Sequence, residues 1–174
     1  MGAGGKVDFN DLKRFKEKLE ENFSQSKIDE FIDSCAKELA ARLLAKVIKR
    51  TPVHDYSQDR HVHFVTKDGK VVDFEANINK KGGTLRRGWT AGKSQSATTY
   101  VNDLKVHHFG DAYVIEIVNP VEYASYVEYG HRTKSGDGWV EGKFMLTISE
   151  QEVQASSTAI LEKKLRKKLG ECFG

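Results

Sequence analysis

The sequence is short of the features that carry familiar chemistry. It has two cysteines, Cys35 and Cys172, with no metal or redox spacing between them, which fits an intracellular, reducing setting. No apolar run approaches the length of a membrane span, so no membrane partner is expected. The opening "MGAGGKVDFN" lacks the apolar core of a signal peptide, and Lys6 stands where a myristoylation signal has Ser or Thr. Neither sign of charge dominates: the net charge is +3 and the pI is near 8.7, too mild to mark a nucleic-acid binder. There are no internal repeats. What remains, 39% hydrophobic and 30% charged residues, suits a globular chain and argues against disorder.

Helical periodicity organises the first third. Leu12, Phe15, Leu19 and Phe23 place a narrow apolar stripe on residues 8–23, with Asp8 or Asn10 as cap. Ser26, with Asp29 three residues on, reads as the cap of a second, longer helix through Arg50. Its stripe runs Ile28, Phe31, Ile32, Cys35, Leu39, Leu43, Val47 and Ile48, and Pro52 stops it with Thr51 pushed extended.

Two hairpins follow. In "HVHFVTKDGKVVDFEA" a three-residue loop, Lys67-Asp68-Gly69, puts Val62, Phe64, Val72 and Phe74 on one face and His61, His63, Asp73 and Glu75 on the other. In "DLKVHHFGDAYVIEIV" a Gly110-Asp111 turn sets His108 opposite Tyr113, Val106 opposite Ile115 and Leu104 opposite Ile117, with Lys105 meeting Glu116. "NKKGGTLRRGWTAGKSQSATT" and "HRTKSGDGWVEGK" read as loops. Asn119–Gly130 reads as a short helix closed by Gly130, and residues 144–169 as a final helix. The fold class is α+β: a small antiparallel sheet packed on a long helix, with an extra N-terminal helix, an inserted β-hairpin and a C-terminal helix. Residues 1–26 form an extension, and residues 27–174 the main domain with the insertion at 54–82.

Candidate chemistry is thin. "GKS" at Gly92–Ser94 lacks the earlier glycine of a phosphate loop, since Arg87 stands there. His61 and His63 facing Asp73 and Glu75 could hold Zn²⁺ or Mn²⁺, but nothing in the sequence fixes the ring tautomers. His107 and His108 are adjacent on a strand and face opposite ways. No serine sits in a nucleophile elbow and no cysteine has an activating neighbour. No enzyme, metal or cofactor is therefore expected. The basic run Lys163, Lys164, Arg166, Lys167 and Lys168 is a favourable helix C-terminus, with DNA contact as the sharper alternative.

The segment "NPVEYASYVEYGHRT" concentrates three of the six tyrosines, Tyr123, Tyr126 and Tyr129, in seven residues. One helix face cannot turn all three rings into a single core. One or two are expected against the sheet and the rest at a subunit interface, where a broad ring with a polar tip is favoured. Arg86 or Arg87 is expected to pair with Glu128. The apolar face of the inserted hairpin, with Phe64 and Phe74, is expected to be covered by the next subunit or a partner protein.

Four segments in order carry a resemblance: "TPV" at Thr51–Val53, "GTLRRGW" at Gly83–Trp89, "YASYVEYGH" at Tyr123–His131, and "GKFML" at Gly142–Leu146. Together they are similar to the minor tail component, or neck, family of long-tailed bacteriophages, which includes head–tail joining, tail-completion and tail-terminator proteins. The resemblance spans roughly residues 27–169. About thirty residues, including the first hairpin, separate "TPV" from "GTLRRGW", which the family usually runs together. It implies a structural protein of the virion tail or neck, assembled in the host cytoplasm. It implies a homo-oligomeric ring of six copies that meets tail tube or sheath and head-connector proteins, with DNA passing through unread. The interface set is then Tyr123, Tyr126, Tyr129, Glu128, Arg86, Arg87, Trp89, Phe64 and Phe74.

Overall fold

The computed structural model describes residues 10–56, 61–75, 82–110 and 112–173. Helix α1 (Asn10–Asn22) leads through Phe23 and Ser24 into α2 (Gln25–Arg50). Ser26 thus lies inside the second helix rather than capping it. Ser24 is the last extended residue (φ −59°, ψ 149°), and Gln25 donates from Nε2 to Asp29 across the first turn at 2.9 Å. The candidate cap Asp8 lies outside the described residues. At the other end Thr51 is extended (ψ 123°) before Pro52, as the proline requires.

Strands β1 (His61–Val65) and β2 (Val71–Glu75) pair in the expected register, with Val62 opposite Phe74, His63 opposite Asp73 and Phe64 opposite Val72. Gly69 takes φ +78° to close the three-residue loop, and the Thr66 hydroxyl oxygen accepts from Lys70 N–H at 3.1 Å. The next stretch is not a loop. It holds two short helices, α3 (Thr84–Gly88) and α4 (Ala97–Asn102), the latter capped by Ser96, whose hydroxyl oxygen accepts from Thr99 N–H at 3.1 Å.

Strands β3 (His107–Phe109) and β4 (Ala112–Val114) keep the expected His108–Tyr113 register, and Gly110 has φ +58°; Asp111, the second turn residue, lies outside the described residues. The ladder is shorter than expected. It stops at His107–Val114, so the pairs Val106–Ile115, Lys105–Glu116 and Leu104–Ile117 do not extend it. The reason is α4: Leu104 N–H bonds back to Val101 C=O and peels the chain off the ladder. Helix α5 (Ala124–Tyr129) ends at Gly130, φ +86°. The segment read as the second loop is a third hairpin, β5 (Gly130–Arg132) with β6 (Trp139–Glu141), and α6 (Met145–Phe173) follows. The fold is α+β, as expected. Among the described residues the strands form three separate two-stranded antiparallel ladders, and β4 of the second lies on α2.

The centre is α2, packed mainly between α6 and α4. Leu44 and Val47 are fully buried, with Met145 from α6, Val101 from α4, and Leu85 and Trp89 from the α3 region around them. Each such side chain contributes about 1.5–3 kcal/mol by leaving water. Helices α2 and α6 run antiparallel, since Glu38 meets Lys164 at 3.1 Å while Lys46 and Arg50 meet Glu152 at 2.7 and 2.6 Å. The Glu152 carboxyl is held below its ordinary pKa, first by the Lys46 hydrogen bond and, among weaker causes, by Arg50, against some desolvation. This contribution is therefore present at neutral pH and lost as pH falls through the lowered value.

Candidate assembly surface

Four polar residues of the family-like segments, Thr51, Arg86, Arg87 and Glu128, are turned to fixing backbone. Thr51 is fully buried at the end of α2, its hydroxyl donating to Val47 C=O at 2.6 Å. Trp89 Nε1–H donates to the same hydroxyl oxygen at 2.8 Å, and the Arg86 guanidinium donates twice to Thr51 C=O, at 3.1 and 2.6 Å. "TPV" and "GTLRRGW", far apart in sequence, are thus one joint. Asn119 extends it, donating to Leu85 C=O at 2.8 Å and accepting from Val121 N–H at 3.1 Å. Gly88 is glycine because a Cβ there would lie 2.2 Å from the Asn119 side-chain oxygen.

Arg86→Ala is expected to cost about 2 kcal/mol, because the helix-terminal carbonyl loses both charged donors in a part-buried place. Arg86→Lys should recover only part, lacking the two-pronged geometry. Urea unfolding measures both. A loss below ~0.5 kcal/mol, the range of an ordinary surface change, would show that Thr51 C=O has another partner.

A second joint forms around Glu128, which is 5% exposed. Its carboxylate accepts from Leu146 N–H and Thr147 N–H, each at 2.9 Å, and from the Thr147 hydroxyl at 2.8 Å. These are amides of the first turn of α6, where no Ser, Thr, Asp or Asn precedes Met145 to serve them. Glu128 is the missing cap, supplied from another element. In return its backbone C=O accepts from Phe144 N–H at 3.0 Å, with Phe144 held at φ +46°. The expected Arg86 or Arg87 pair with Glu128 is therefore not formed. Arg86 is held by Thr51, Arg87 by Gly82 C=O at 3.0 Å, and the helix terminus satisfies the carboxylate without a cation. Glu128 and Trp89, both expected at an interface, are buried inside the chain.

The tyrosines behave differently. None of the three is turned into the core: Tyr123 is exposed, Tyr126 is 58% and Tyr129 61% exposed. Tyr126 lies 5.7 Å from the His131 ring on β5. His131 faces Val140 in the β5–β6 ladder, and the Trp139 ring reaches back over Gly130. Trp139, Val140 and Phe144 are exposed as well. An aromatic surface thus runs from α5 across β5–β6, and two of its members, Trp139 and Val140, come from the segment read as loop. Phe64 and Phe74, each 50% exposed, form a separate outward patch on the β1–β2 hairpin.

The remaining candidates are placed as follows. His63 lies 3.1 Å and His61 3.5 Å from the Asp73 carboxylate, and Glu75 stands opposite His61 in the ladder. Among the described residues no group of three His, Cys, Asp or Glu side chains is arranged to hold a metal ion. Lys164 donates to Ser34 C=O at 2.6 Å besides pairing with Glu38, and Lys167 lies 3.8 Å from Glu171, so part of the basic run serves intrachain contacts. Cys35 is buried, which pushes its thiol pKa up. Among the described residues no helix is long and apolar enough to cross a membrane.

These features define an α+β chain in which Thr51, Arg86 and Glu128 lock the backbone while Tyr126, Tyr129 and Trp139 face outward. Residues 13–130, about two thirds of the chain, match the protein family described as "Bacteriophage HK97-gp10, putative tail-component". The chain belongs to that family, and is by membership a phage tail-associated structural component. Searches of curated proteins and of solved structures returned no match. The matched region includes the β1–β2 and β3–β4 hairpins and the Thr51 joint and ends at Gly130, ahead of β6, "GKFML" and α6.

Proposed function

We propose that the protein assembles into a ring, of six copies, at the head-proximal end of the tail, where it completes the tail and joins it to the head connector. On this reading it is structural and catalyses nothing, and DNA passes through the ring unread. The observation that carries the proposal is the outward aromatic surface of α5 and β5–β6 on a chain of the tail-component family. Tyr and Trp are favoured at subunit contacts because they bury a large ring while the polar tip stays wet. A ring further requires two different patches per copy that meet head to tail and close.

Tyr126→Ala/Tyr129→Ala is the direct test. Both rings are more than half exposed, so stability should change by no more than ~0.5 kcal/mol per site. Native mass spectrometry of the unaltered chain should show a ring species, and the double variant should remain a folded monomer that no longer enters particles. Normal particle entry by the variant would remove α5 from the interface. Unfolding would make the tyrosines part of the core.

A further inference from the structure

The α5 surface supplies one patch, and two other features of the molecule fit one another as donor and acceptor. The donor is the β1–β2 hairpin. Its paired strands project Phe64 and Phe74, both half exposed, with Val62 and Val72 on the same face. Five residues per strand give an arm of ~17 Å at ~3.3 Å per residue. A two-stranded hairpin is marginal alone in water, so its apolar face needs cover.

The acceptor is a groove of about 430 Å³ between α2, the segment following β4, and α6. Leu39, Leu43, Ile115, Ile117 and Val153 line it, and among the described residues none of the same chain's β1–β2 arm does. The charges are complementary. Lys67 and Lys70 flank Asp68 at the arm tip, leaving it net positive, while Glu150 lines the groove. Among the described residues none of Lys67, Lys70 and Glu150 has an ion-pair partner.

We propose that the β1–β2 arm of one copy seats its Phe64–Phe74 face in the α2–α6 groove of the next copy. The contact rests on the ring reading above and supplies what that reading needs: two unlike patches on every copy, so that each subunit is donor to one neighbour and acceptor to the other. Apolar burial holds the contact, and the lysine–glutamate pairing fixes which end of the arm enters first.

The test uses two versions of the full chain, one with Val72→Cys on the arm face and one with Gln154→Cys on the exposed rim of the groove. Cys35 and Cys172 are buried and stay in place, and the unaltered chain is the control. Mixing and mild oxidation should give a disulfide-linked dimer containing one chain of each kind, with no like-with-like product. Adding Phe64→Asp and Phe74→Asp to the arm chain should abolish it while circular dichroism stays unchanged. Rings that form without the mixed cross-link would overturn the proposal and leave the ring reading standing. A chain that stays monomeric at all concentrations would remove both. Two outcomes would give the groove a different occupant and likewise overturn the proposal. One is cross-linking only to another tail protein. The other, read on a third version that carries both Val72→Cys and Gln154→Cys, is a disulfide within a monomer.

Discussion

Replacing Glu128 by alanine will lower the unfolding free energy by about 3 kcal/mol, because the first turn of α6 loses a charged acceptor and two part-buried amides are left without a partner. The loss is larger than for an ordinary cap because the carboxylate belongs to α5. One side chain both caps α6 and ties it to α5. Glu128→Gln should fall between, at about 2 kcal/mol, since its carbonyl can serve one amide while its NH₂ group meets another donor. Thr147→Val should cost ~1 kcal/mol for the single lost hydroxyl bond. Urea midpoints of the three variants give the order. A Glu128→Ala change of less than about 1 kcal/mol would mean that water caps the helix equally well.

Gly142→Ala will be at least as damaging, and for a steric reason. A Cβ at Gly142 would lie 2.3 Å from Glu128 O, 2.7 Å from Tyr129 C and 2.9 Å from Gly130 N. All three are backbone atoms, so no side chain can rotate away, and α5 must separate from the strand that leads to α6. Overpacking of this kind costs about 3 kcal/mol or more. Gly170→Ala is the contrast: that glycine lies inside α6 with open space around its Cβ position, and alanine there should stabilise by ~0.5–1 kcal/mol. Thermal midpoints that move in opposite directions for the two variants are the expected result. Equal, small shifts would mean that the α5–β6 approach gives way easily.

The parts of this architecture written in local chemistry were readable from the sequence. Asp68-Gly69 marked the turn, and the requirement that Val62, Phe64, Val72 and Phe74 share one face chose the three-residue loop and hence every pair in β1–β2. Pro52 ended α2, and Gly130 ended α5. The helices α3 and α4 were missed because a one-turn helix is too short to show a period. Leu85, Trp89 and Val101 are spaced for burial, but they sit among glycines, serines and threonines that read as loop. Strands β5 and β6 have three residues each, too few to alternate. Glu128 was singled out, yet given the wrong partner. The available signal was negative: a 29-residue helix opening on Lys-Phe-Met with no capping side chain of its own. Nothing local says which distant carboxylate will supply it. The tyrosines were expected to divide between core and surface, and all three lie outside because Ala124 and Val127, with Met145 and Leu146 of α6, are the side chains that pack on the core at that end.

The antiparallel pairing of α2 with α6 has a consequence for how the chain is made. Ser34 and Lys164 are bonded across 130 positions, and Arg50 and Ser149 across 99. Contacts this distant in sequence close slowly. At roughly 5–20 residues per second, a ribosome needs on the order of ten seconds to travel from the end of α2 to the start of α6. During that interval α3 and α4 can already shield one flank of α2, while the flank bearing Lys46 and Arg50 has no glutamate to meet. The nascent chain therefore waits half-covered, and slower translation lengthens the period in which a chaperone, or another nascent chain, can reach that flank first.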